Sequence, residues 1–140
     1  ARPIFQNMLK VCHWFTVDDL NHLKRGGRVS AFSATVGTAL NVKPILHVDN
    51  EGHLIPMSKV RGRKKSLYAL VEHMVETCIN PEEQVIFISH GDTIEDAEFL
   101  AQLIREKFKV KDIAISDIGP VVGTHAGPGT IALFFFGTMR

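Results

Sequence analysis

Apolar positions along the chain change period several times, and each change marks an element. Residues 11–17, VCHWFTV, concentrate β-branched and aromatic side chains and predict a strand that ends at Asp18 and Asp19. A short helix through Leu20 and Leu23 follows and stops at Gly26 and Gly27, where glycine takes the left-handed C-cap conformation without steric cost. Ser30 is placed to cap a second helix in which Phe32, Val36 and Leu40 recur at spacing four. Ala34, Gly37 and Thr38 keep another face of that helix small, which suits a close neighbour. Residues 42–49 and 53–60 flank Asn50, Glu51 and Gly52 and predict a β-hairpin with Gly52 at positive φ, with Pro44 and Pro56 suited to edge or irregular positions.

The strongest periodicity spans residues 62–79, a helix with Leu67, Leu70, Val71, Met74, Val75, Cys78 and Ile79 on one stripe. At about 1.5 to 3 kcal/mol per fully buried side chain, such a stripe contributes on the order of 10 to 20 kcal/mol gross and belongs to the core. Asn80 and Pro81 end it. Residues 84–90, QVIFISH, predict a strand, after which Asp92 and Glu95 have the spacing of a capping box. The helix they open turns Ala97, Leu100, Ala101, Ile104 and Phe108 inward. Residues 111–117 form a further strand, a glycine-rich turn covers 119–129, and the last strand, TIALFFFG, is apolar almost throughout and therefore central. A hairpin followed by alternating helices and strands gives an α+β class, a two-layer sandwich with a mixed β-sheet covered by helices.

Composition adds exclusions. At 140 residues and 45% apolar content the chain buries one ordinary core, and nothing divides residues 1–140 into two domains. Sixteen basic against 15 acidic residues leave a net charge of +1, so charge does not point to nucleic acid. Cys12 and Cys78 lack CxxC spacing and read as reduced core thiols. Without an apolar run of about 20 residues or a signal-peptide layout in residues 1–10, a cytoplasmic protein with no stable membrane insertion is expected. The start at Ala1 rather than Met is compatible with removal of a preceding signal or domain.

Three features exceed what packing requires. In residues 24–30, KRGGRVS, two glycines place Arg28 just before a helix N-cap, and both arginine and helix N-termini favour an anion; the plain alternative is a C-capping turn with a solvated arginine. In residues 119–129, GPVVGTHAGPG, successive amides suit an anion-binding nest beside Thr124 and His125, although the pattern also suits a tight structural turn. That segment is no P-loop, because the GK[ST] ending is absent. The run Lys59, Arg61, Arg63, Lys64, Lys65 opens the long helix with cations that oppose its dipole, and reads as a solvated surface or a docking face for a protein partner. The other histidines form no HxxxH or HExxH pair, so no metal site is expected. His90 ends a strand beside Gly91, where a functional role and a capping role are equally compatible with the sequence. No GxSxG elbow supports covalent catalysis.

Taken in order, LKRGGRVS, GTALNVKPIL, KVRGRKKSL and DIGPVVGTHAGPGTIALFF resemble the carboxy-terminal half of the DegV family of fatty-acid-binding proteins, over residues 15–136. The resemblance implies a two-domain fold of which this chain is the carboxy-terminal domain, residues 1–10 being an interdomain remnant. It implies a carrier, not an enzyme, that holds a long-chain fatty acid as cargo, needs no cofactor and works as a monomer. A separate fatty acid kinase would form the acyl phosphate, an acyl-carrier role in bacterial phospholipid metabolism. Arg28, Thr124 and His125 would lie near the head group, and no residue would be catalytic. Phe32, Val36, Leu40, Ile131, Leu133 and Phe135 are candidate walls of the acyl tunnel, with ordinary core packing the alternative for each. Arg61, Arg63, Lys64 and Lys65 are candidate docking residues. The competing function is a small acyl or phosphoryl hydrolase with His125 as base and Arg28 stabilising an oxyanion.

Overall fold

A computed structural model describes residues 10–18, 41–118 and 127–138. The elements run β1 Val11–Thr16, β2 Val42–Val48, β3 Leu54–Arg61, α1 Arg63–Thr77, β4 Val85–His90, α2 Ile94–Lys107, β5 Asp112–Asp117 and β6 Ile131–Phe136. Six strands form one mixed sheet in the order β3-β2-β1-β6-β4-β5. Every neighbouring pair is antiparallel except β4 and β5, which α2 joins as a parallel crossover. With two helices added, the class is α+β, as the apolar pattern predicts.

Strand alternation sorts the sheet into two faces. Cys12 and Trp14 of β1, Ile86 and Ile88 of β4, and Ile131, Leu133 and Phe135 of β6 pack with the apolar stripes of α1 and α2 in the larger core cluster. The intervening residues Phe15, Val17 and Ala132 join Leu46 and Val48 in a second buried cluster on the opposite face. Further along that face, Phe87 and Phe136 stay 54% and 44% exposed. β6 lies third from one edge, apolar on both faces, as TIALFFFG requires.

Several boundaries differ from the sequence reading. The α1 helix stops at Thr77, and Cys78 bridges to Gly137 instead of extending the helical stripe. Leu67, Leu70, Val71 and Met74 are buried as expected, but Val75 is 53% exposed. At about 100° per residue, Val75 sits some 80° around the helix from Leu67, on the side away from buried Ser66 and half-buried His73. The α2 cap is displaced by one residue: Thr93 is the N-cap, its hydroxyl donates to Asp96 Oδ2 at 2.7 Å, and Asp92 serves the preceding turn at φ 53°. Glu95 is therefore not the partner of a capping box. Pro56 lies on edge strand β3, where Ile45 pairs Ser58 and Leu46 pairs Pro56, so Met57 bulges out. Pro44 lies on the interior strand β2, but just beyond its last β1 pair, and its carbonyl accepts from Thr16 Oγ1 at 2.8 Å.

Where the helix ends, a side chain completes the sheet. Gln84 Oε1 accepts from Phe136 N–H at 2.9 Å while its Nε2 donates to the Phe136 carbonyl at 2.9 Å and also to the Ile79 carbonyl. The amide thus copies a peptide unit and closes the end of β6. Cys12 and Cys78 form no disulfide, and burial pushes Cys78 up to about 11, so it stays protonated at neutral pH.

Trp14 stacks on His73 of α1 at 3.6 Å and on His47 of β2 at 5.0 Å. Burial lowers the His73 pKa, against the pull of Glu76 and Glu72. The folded state thus binds fewer protons at His73 than the unfolded chain does. Its contribution is complete above the ordinary imidazole value of about 6.5 and is lost as pH falls through the lowered folded value. Urea midpoints should therefore fall between pH 7.5 and 5.5, and His73→Gln should remove part of that slope. Gln84→Leu should lower unfolding free energy by about 1 to 3 kcal/mol in urea titrations, because it strands the amide of Phe136, whose carbonyl keeps the Ile79 N–H.

Candidate functional site

One end of the sheet collects the chain's polar junctions. β1 ends there at Thr16, β4 at His90 and β5 at Asp117, while β2 and β6 begin there at Val42 and Ile131. Both α1 and α2 start at this rim, at Arg63 and Ile94, so their positive dipole ends meet where the parallel pair β4 and β5 presents its carboxyl ends. The rim is thus built to favour an anion.

Arg63 stands at its centre. The guanidinium Nε donates to Asp96 Oδ2 at 3.0 Å, and Nη2 donates to the Gly129 carbonyl. Asp96 also accepts the Thr93 hydroxyl. His90 caps the same helix, since its Nδ1 accepts the Thr93 N–H at 3.1 Å. That bond places the imidazole proton on Nε2, which faces Asp117 Oδ1 at 3.4 Å. The β4 and β6 strands are extended by Gly91 N–H to Thr130 O at 2.9 Å and Gly129 N–H to Gly91 O at 2.7 Å. Thr130 Oγ1 closes the turn on the Gly127 carbonyl at 2.8 Å. At Gly129, φ is +87° and an added Cβ would stand 2.6 Å from Asp18 Cβ, so only glycine fits. Asp18 pairs with Lys43 at 3.0 Å, and Gly62 N–H donates to the Asn41 carbonyl at 2.8 Å.

These junctions locate the candidate residues. Arg28, Phe32, Val36 and Leu40 lie outside the described residues, in a span bounded by Asp18 and Asn41. Thr124 and His125 also lie outside them, in a span bounded by Ile118 and Gly127. All four bounding residues belong to the rim, through the pairs Asp18–Lys43, Asn41–Gly62, Ile118–His90 and Gly127–Thr130. Ile131, Leu133 and Phe135 are described and sit at 0%, 0% and 3% exposure beneath α1 and α2, inside the main core.

Of the basic run, Arg61, Lys64 and Lys65 are exposed, and Lys64 lies 5.5 Å over the Phe99 ring. Arg63 departs from the docking role expected for it. Its side chain is 19% exposed and committed to Asp96 and Gly129, because a planar fork at the helix start satisfies a carboxylate and a carbonyl together. Nothing in the spacing of RGRKK separates Arg63 from its neighbours; Asp96 and Gly129, its partners, are 33 and 66 residues away. His90 is likewise explained by capping.

At the other end of the sheet, Asp49, Glu51 and His53 bring three possible ligand atoms within 4.8 Å. Asp49 Oδ1 there accepts the N–H groups of Glu51 at 2.9 Å and His53 at 2.8 Å, and the His53 amide is the main cause of its lowered pKa. The trio is the chemistry of the hairpin turn. Two open clefts, about 520 Å³ along residues 105–112 and about 220 Å³ beside Gln84 and Phe136, also lie away from the rim. Among the described residues no helix is long and apolar enough to cross a membrane.

Comparison with known proteins matches this arrangement to one family. The model for "uncharacterised protein, DegV family" covers residues 3–138. A DegV domain-containing protein of Clostridium perfringens is 53% identical over 135 residues, 96% of this chain and 46% of that protein. A solved fatty acid binding DegV family protein from Streptococcus agalactiae superposes with a TM-score of 0.83 at 34% identity, covering 96% of this chain and 47% of that one. The Streptococcus pneumoniae Fatty Acid Kinase B3 protein, solved loaded with linoleic acid, shares the fold with a TM-score of 0.84 at 24% identity, over 96% of this chain and 47% of that one. The chain spans about half the length of the relatives it matches. With nearly every residue covered by the family model, the chain belongs to the DegV family.

Proposed function

We propose that this chain is the carboxy-terminal, fatty-acid-binding domain of a cytoplasmic carrier that holds a long-chain acid and presents its carboxylate to a separate fatty acid kinase. The observation that carries the reading is the rim. Both spans that hold the head-group candidates Arg28, Thr124 and His125 start and finish there, beside two helix N-termini. The fatty acid binding named for the Streptococcus agalactiae relative supports the cargo, and the kinase named for the Streptococcus pneumoniae protein supports the partner.

The energetics fit that cargo. An acyl chain of 16 carbons offers about 15 groups at roughly 0.8 kcal/mol each, some 12 kcal/mol gross, so apolar burial supplies affinity. Its carboxylate requires charged or hydrogen-bonding partners once removed from water. Because α1 and α2 already fill one sheet face, the acyl chain is assigned to the other, where Phe15, Val17, Leu46 and Ala132 continue toward exposed Phe87. Phe32, Val36 and Leu40 complete that wall in this reading, and Ile131, Leu133 and Phe135 support it from within the core. The exposed Arg61, Lys64 and Lys65, with Tyr68 at 47% exposure, form the docking face for an acidic surface of the kinase.

Gentle purification of the intact protein followed by native mass spectrometry should reveal bound fatty acid. A protein that emerges empty and takes up no added palmitic acid overturns the carrier reading, and hydrolytic turnover lost in His125→Ala replaces it with the hydrolase. Reversing charge with Lys64→Glu and Lys65→Glu should reduce kinase-dependent acyl phosphate formation about tenfold or more, with palmitic acid affinity unchanged. Unaltered phosphorylation would remove the docking face.

A further inference from the structure

We infer that Arg63 is a positioning residue for acid recognition: its guanidinium clasps the end of the GTHAGPG loop to the start of α2 and so sets the head-group rim. The inference rests on the fatty-acid reading above. It concerns a residue that the sequence assigns to the outer surface.

Three observations carry it. First, the clasp joins elements that are remote in sequence, since Nε meets Asp96 at 3.0 Å and Nη2 meets the carbonyl of Gly129. Gly129 is four residues beyond His125, and its own N–H is committed to Gly91 at 2.7 Å, so both polar groups around this residue are held. Second, Gly129 packs directly on Asp18, the last described residue before the span that carries Arg28. One guanidinium therefore anchors a glycine that follows one head-group span and packs on the residue preceding the other. Third, Nη1 is buried and finds no partner among the described residues. An unpaired buried donor is a net cost to folding, so stability alone does not account for an arginine here.

The chemistry requires the fork. A lysine would keep the charge but could not bridge a carboxylate and a carbonyl at fixed angles. Asp96 holds the fork in place while also receiving the Thr93 hydroxyl, so the start of α2 and the loop end move as one unit.

The test compares palmitic acid with 1-hexadecanol, which shares the tail but lacks the carboxylate, in calorimetric or competition titrations of the intact protein. Wild type should prefer the acid. Arg63→Lys should reduce that preference about tenfold, with alcohol affinity within about twofold of wild type. Asp96→Asn, which conserves side-chain volume, should shift the preference in the same direction and serves if Arg63→Lys fails to fold. Retention of the wild-type preference in a folded variant overturns the inference. A parallel loss of both affinities together with the melting temperature also overturns it, since that marks a merely structural residue. Failure of wild type to bind either compound removes the carrier reading itself, and this inference with it.

Discussion

The whole arrangement depends on β6 being apolar on both faces. Six consecutive residues, IALFFF, carry no polar side chain, so this strand is unsuited to an edge of the sheet. Placed between β1 and β4, it pairs along Val11 to Thr16 on one flank and Phe87 to His90 on the other. Its odd-numbered residues then demand a helical layer, which α1 and α2 provide, and its even-numbered residues demand a second apolar layer. A protein with one core would need only the first. The second layer is the face that the proposed function assigns to the lipid tail.

Ends of the sheet divide the remaining work. At one end Gln84 imitates a peptide unit and binds both polar groups of Phe136, while Asn80 at φ 44° and Pro81 turn the chain. The bonds that Gln84 makes there are neutral. The rim, by contrast, is held by the ion pairs of Arg63 with Asp96 and Lys43 with Asp18, and by His90, which faces Asp117. Two helix dipoles raise the potential there, and the carboxylates offset part of it. Such a balance suits a site that must accept an anion without collecting one indiscriminately.

Periodicity made the elements legible because burial alternates with the same period as the backbone. Thus β1, the hairpin, both described helices and the central strand follow from apolar spacing, and the DegV resemblance follows from the order of four phrases. The misplaced details share a cause, which is that they depend on distant partners. Val75 is exposed because the packing axis of α1 leans toward His73 and Trp14, which no local count shows. The capping register at Thr93 is set by a positive φ at Asp92 and by the bond from Arg63 to Asp96. Arg63 itself reads as one cation among five until the fold brings Gly129 to it. Arg28, Thr124 and His125 were legible only as candidates, and the described residues locate the ends of their spans.

The proposed separation of tail and head group has a physical consequence for how the domain is built. Tail affinity grows with apolar area and tolerates imprecision, since removal of one methylene changes it by only about 0.8 kcal/mol. Head-group recognition is steep in distance and angle, because a charge-assisted hydrogen bond weakens quickly once donor and acceptor separate. The tail can therefore be entrusted to a broad sheet face, including the half-buried Phe134 and exposed Phe87. The head group needs a framework whose parts cannot shift independently, and the described rim has one: a glycine that admits no side chain, a peptide held on both sides, and a guanidinium that ties it to a helix start.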